Sequence, residues 1–209
     1  MFLAVLVMAA QAGATVVTSI PGGTVYTLPA VNSFGGGPQT VASGITWSST
    51  NVNNQGGSVF GYTTAYDFGG NGSWTGALGP MAGLNDNTDI YGVTDSMTFA
   101  FATPVAAVGG FLNYAPGFST LTTIAVYDSS HTLIEPAFNL TFLTGGGNDT
   151  GAFFGFQEST ANISYFTLTD NYVGIVDLTT GAVPEPRSLL LIGTGLLGAI
   201  GYGRKRLGL

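Results

Sequence analysis

No lysine or arginine precedes Arg187 in this chain of 209 residues, and the chain contains no cysteine. A body built this way has no Lys or Arg ion pairs, and without thiols it has no disulfide, thiolate metal site or cysteine nucleophile. It must hold together through an apolar core and neutral hydrogen bonds. Ten of the eleven acids lie before Val183, so residues 15–183 carry about −10 charges, which excludes nucleic acid and other polyanions as partners bound by phosphate neutralisation. Carboxylates without cationic partners stay wet, accept hydrogen bonds from neutral donors, or bind external cations.

The 168 residues from Thr15 to Ala182 suit one well-buried domain. The chain has 33 glycines and 12% aromatic residues, and long Ala/Glu/Lys/Leu-rich stretches are absent, a composition of strands joined by polar turns. Met97–Phe101 and 138–142 place large apolar residues on one face and small or polar ones on the other, as Ile124 and Val126 do within 121–128. Further strands are expected at 24–28, 40–47, 58–66, 105–114, 152–157, 163–169 and 172–178. Turn signals separate them at Asp128-Ser129-Ser130, at Gly145-Gly146-Gly147-Asn148-Asp149 and at Asp170-Asn171. The expected class is all-β, a jelly-roll-type β-sandwich of two antiparallel sheets, with a β-helix as the alternative. Residues 29–96 read as long Gly- and Asn-rich loops, where such folds keep binding sites.

The C-terminal segment has a different character. Pro184 and Pro186 fix φ and withhold backbone donors, so Val183-Pro184-Glu185-Pro186 is expected to be extended. An uncharged run from Ser188 to Tyr202 follows, closed by Arg204-Lys205-Arg206. This pattern predicts a single short hydrophobic helix with a positive-inside stop. Its 15 residues reach about 22 Å at about 1.5 Å per residue, short of a hydrocarbon core of about 30 Å, so crossing needs local thinning or snorkelling by the basic residues.

Pro-Glu-Pro, a Leu/Gly-rich helix and a basic cluster, in that order, resemble the PEP-CTERM sorting signal of Gram-negative bacteria. The resemblance covers residues 183–209. It implies that an exosortase, an integral-membrane cysteine protease, recognises Pro184-Glu185-Pro186 and cleaves near it during export. A transient stay in the inner membrane would then precede secretion or display at the cell surface or matrix. Passages such as Val108-Gly109-Gly110-Phe111 and Phe154-Gly155-Phe156 are similar to the last strands of PEP-CTERM ectodomains, a weaker likeness that ends near Asp177. Residues 1–14 read as a secretory signal lacking its basic opening, with Ala10-Gln11-Ala12 or Ala12-Gly13-Ala14 as the cleavage site.

Chemistry in the body is sparse. His131 sits in a turn after Asp128-Ser129-Ser130 with no nucleophile elbow, so a catalytic triad is not expected there. Glu135 and Glu158 are the body's two glutamates, and nothing in the sequence pairs either with an Asp for glycoside hydrolysis. Asp86 and Asp89, with Asp67 and Asp95 nearby in sequence, offer hard oxygens suited to Ca2+, against the plainer reading of an Asx-rich turn. Trp47 and Trp74, together with Tyr62, Tyr66, Tyr91 and Tyr114, are candidates for a sugar-stacking platform, although most such rings pack in cores. No catalytic residue is assigned and no cofactor is required, Ca2+ apart. The expected function is a non-enzymatic exported surface or matrix protein associated with exopolysaccharide. The alternative is a secreted carbohydrate-binding or carbohydrate-active protein with a site in the 47–114 loops.

Overall fold

The computed structural model describes residues 15–85, 95–117, 121–170 and 172–182. Strands β1 (Thr15–Val17), β2 (Thr24–Tyr26), β3 (Ser33–Phe34), β4 (Gln39–Ala42), β5 (Ile45–Ser49), β6 (Ser58–Tyr62), β7 (Tyr66–Asp67), β8 (Ser73–Trp74) and β9 (Met81–Leu84) make up the first half. The second half contributes β10 (Ser96–Val105), β11 (Ala107–Tyr114), β12 (Thr123–Tyr127), β13 (Phe138–Asn139), β14 (Ala152–Gln157), β15 (Ile163–Thr169) and β16 (Val173–Gly181). One eight-stranded sheet runs β1-β14-β11-β16-β9-β6-β3, with β2 also on β16, and a six-stranded sheet runs β13-β12-β15-β10-β5-β4. Their strands pair antiparallel, so the β-helix alternative falls. Among the described residues the only helical element is a 3-10 turn at Gly69–Asn71, and no helix is long and apolar enough to cross a membrane.

The two large sheets share one core. Trp47, Phe99 and Phe166 from the six-stranded sheet join Phe60, Leu112 and Phe156 from the eight-stranded one in a single buried cluster. The Trp47 and Phe60 rings meet across it with centroids 5.1 Å apart. Each such side chain contributes about 1.5–3 kcal/mol by leaving water.

The six-stranded sheet shows why alternation was readable. In β10 Met97, Phe99 and Phe101 point into the core, while Thr98 faces out and shares a 3.0 Å hydroxyl hydrogen bond with Thr167 of β15. One face is dry and the other wet, so the period of two is written into the residues.

The eight-stranded sheet differs, because its outer face is covered as well. The ribbon β7–β8 folds over it and builds a second cluster of Tyr66, Phe68 and Trp74 with Val59, Met81 and Val176. Strand β9, Met81-Ala82-Gly83-Leu84, is therefore buried on both faces and lies between β6 and β16. That corrects the reading of 29–96 as chiefly loops. The expected strand at 40–47 is likewise two strands, β4 and β5, paired antiparallel across a turn at Gly44, whose φ is 76°. Gly174 serves a different purpose: a Cβ there would lie 2.8–2.9 Å from the Phe68, Trp74 and Met81 side chains, so the second cluster requires glycine beneath it.

Candidate functional site

Both candidate tryptophans are core residues. Trp47 is 0% and Trp74 1% exposed, so neither presents a ring face to a sugar, which corrects the stacking expectation. The reason is packing: Trp47 alternates inward in β5, and Trp74 lies in the second cluster with its ring edge-on to Phe68 at 4.8 Å. Tyr114 is also buried, its hydroxyl donating to the Phe142 carbonyl at 3.0 Å. Asp86, Asp89 and Tyr91 lie outside the described residues. Among the described residues no group of three His, Cys, Asp or Glu is placed to hold a metal ion.

An aromatic-lined groove does form, at the β3–β6 margin of the eight-stranded sheet. It has a volume of about 360 Å³ and is lined by Phe34, Tyr62, Tyr66, Asp67, Asn85 and Tyr172, among others. Phe34 is 45% exposed and stands edge-on to Tyr62 at 6.0 Å, and Tyr62 is edge-on to Tyr66 at 6.5 Å. Tyr66 anchors the floor, its hydroxyl donating to the Leu84 carbonyl. Burial, and then the neighbouring Tyr172 and Tyr62, push its pKa well above the ordinary tyrosine value, so it stays a neutral donor. Asp67, next to Tyr66 in β7, is exposed where it lines the groove, with Oδ1 accepting from Gly69 N at 2.9 Å and Ser73 Oγ at 3.2 Å. Ring faces beside a carboxylate and an amide suit the apolar face and hydroxyl rim of a sugar. Of these residues Tyr62 and Tyr66 were candidates from the sequence. Phe34 and Tyr172 were missed, Phe34 because it stands alone before Gly35-Gly36-Gly37 with no aromatic near it in the chain.

The carboxylates mostly find neutral donors. Asp95 Oδ2 accepts from Asn51 Nδ2 at 2.7 Å and its Oδ1 from Thr50 Oγ at 3.1 Å. Thr122 donates its hydroxyl to Asp170. Asp149 takes Thr75 N and Oγ, each at 2.7 Å, and Asp128 takes Ser130 N and Thr132 N. His131 stacks on Tyr165 at 4.1 Å in that exposed turn, with φ of 58°. Glu135 and Glu158, unpaired in the sequence, come within electrostatic reach of each other, and neither lines the aromatic groove.

The sorting segment begins where the fold ends. Gly181 closes β16, its carbonyl accepting from Ala106 N at 3.2 Å, and Ala182 follows at once. Residues 182–206 match the family model for the PEP-CTERM protein-sorting motif. This chain carries a PEP-CTERM sorting signal. Val183, Pro184, Glu185, Pro186 and the stop Arg204, Lys205 and Arg206 all belong to that signal and lie outside the described residues. The PEP-CTERM motif implies an exported, membrane-anchored precursor processed by an exosortase for surface display. No curated protein and no solved structure matches the chain.

Proposed function

We propose that this chain is the precursor of a non-enzymatic surface or extracellular-matrix protein, cleaved by an exosortase and associated with exopolysaccharide. The PEP-CTERM signal at 182–206, starting directly after the last strand, is the observation that carries this reading. In it, residues 1–14 are a signal peptide, 15–182 a jelly-roll-type sandwich, and 183–209 the signal with its short hydrophobic helix. The inner membrane holds the precursor before release. From Gly181 to Ser188 is seven residue steps, at most about 25 Å of extended chain, so the folded body stays close to the bilayer until it is cut. Intact-mass measurement of the protein released by its native host tests this. A C-terminus near residues 183–186, lost in cells lacking the exosortase, is the expected result, and a mature chain still containing Arg206 would overturn it.

A second reading, a carbohydrate-binding body, is favoured by the aromatic groove. Among the described residues the only acid lining it is Asp67, and Glu158 is buried elsewhere. Two-carboxylate glycoside hydrolysis therefore has less support than binding. Phe34→Ala and Tyr62→Ala are expected to weaken retention on the host's exopolysaccharide by about tenfold together, the equivalent of about 1.4 kcal/mol of lost stacking. Affinity electrophoresis measures it, and unchanged mobility of the double variant would move the contact away from this groove.

A further inference from the structure

We infer that Glu158, Asn162 and Glu135 form a site for a divalent cation of the Ca2+ type at one end of the shared core. Glu158 follows β14, its backbone N–H donating to the Ala106 carbonyl at 2.7 Å, and is 5% exposed. It stands two residues beyond the buried Phe156, just past the end of β14. Asn162 immediately precedes Ile163, the buried first residue of β15. Glu135 follows Ile134, which packs on the core and donates its N–H to the Val126 carbonyl at 3.0 Å.

Glu158 is the exception among the buried carboxylates. Among the described residues the other two, Asp95 and Asp170, accept from neutral side chains. Glu158 Oε1 is buried with no donor, and so is Asn162 Oδ1, at the other end of the same short turn. A buried oxygen without a donor is costly, and a buried anion more so. Burial first, and then the charge of Glu135, push the Glu158 pKa above the ordinary glutamate value. Relief requires a proton, a water donor or a cation, since the body holds no Lys or Arg and His131 is stacked on Tyr165 in an exposed turn. Carboxylate and amide oxygens are hard ligands, and Ca2+ completes its shell with backbone carbonyls and water.

The rival occupant is a proton on Glu158 donated to Asn162 Oδ1, and the two predict opposite behaviour. The experiment is calorimetric titration of CaCl2 into the full chain, purified in detergent and stripped with chelator, alongside melting curves. Saturable binding is expected, and Glu158→Gln and Glu135→Gln should each weaken it at least about tenfold by removing a charged ligand. Asp67→Asn and Asp128→Asn should leave it unchanged. In chelator the folded chain binds the Glu158 proton more tightly than the unfolded chain does. Stability therefore falls as pH rises from the ordinary glutamate range through the raised value. Ca2+ should restore the melting temperature above that range in the wild type but not in Glu158→Gln. Titrations without saturable binding, or binding that survives both glutamine variants, would overturn the site. So would a Glu158→Gln variant that reproduces the acid-stabilised melting temperature while Ca2+ does nothing to the wild type, which would assign the pair to the shared proton.

Discussion

Replacing Pro184, Glu185 and Pro186 together with alanine is expected to leave the chain uncut in the membrane fraction, with mature product falling to background. An extended stretch is expected here from the two prolines, because each fixes φ and removes a donor that a helix would use. Alanine does the opposite: it is the best helix former, favoured over proline by about 3 kcal/mol per residue. The triple substitution is therefore expected to let the helix anticipated from Ser188 grow back toward Gly181, in place of the expected extended stretch. It also removes the motif's carboxylate. The body is untouched, since its last strand ends at Gly181. Fractionation with intact-mass analysis reads the outcome, and normal processing of the variant would show that the protease reads some other feature of residues 182–206.

The two tryptophans, equal in size and both buried, are expected to respond unequally to replacement by phenylalanine. Trp47→Ala should cost about 3–5 kcal/mol, a large part of the roughly 5–15 kcal/mol available to a domain, because the ring bridges both sheets against Phe60. Phenylalanine separates volume from polarity. Trp47 Nε1 is buried with no acceptor, so Trp47→Phe loses some packing but also removes an unmet donor. Trp74 Nε1 donates to the Thr150 carbonyl at 2.7 Å, which also accepts from Asn113 Nδ2 at 3.1 Å, so Trp74→Phe loses packing and one of that carbonyl's two hydrogen bonds as well. Urea unfolding should give Trp74→Phe the larger loss by about 1 kcal/mol or more. A larger loss for Trp47→Phe would mean that its indole N–H is satisfied in solution.

Strands with one wet face were legible residue by residue. The expected spans at 152–157 and 163–169 coincide with β14 and β15, and the Met97–Phe101 alternation is the inner face of β10. Strand β9 escaped notice because burial on both faces leaves no alternation, and its Gly83 mimics a loop. The hairpin of β4 and β5 was read as one strand, since Gly44 alone marks the turn within an otherwise strand-like run. The platform reading failed at Trp47 and Trp74 for a related reason: aromatic content predicts buried area but not which rings are left at a margin. The groove draws Phe34, Tyr62 and Tyr172 from three distant parts of the chain.

The export address and the all-β character are properties of short, contiguous segments. The charge-free run before Arg204-Lys205-Arg206, the Pro-Glu-Pro motif and a dyad of apolar residues each carry their physics within a few residues of one another, so they can be read in line. The lack of cations was equally plain, and with it the need for every carboxylate to find another partner. Which partner each one found depended on contacts between residues far apart in the chain. Asn51 meets Asp95, Thr122 meets Asp170, and Thr75 meets Asp149, while Glu158 is enclosed with no donor for its Oε1. Those pairings arise only when strands close against one another, because strand order and register, rather than spacing in the sequence, set which polar atoms share a buried volume.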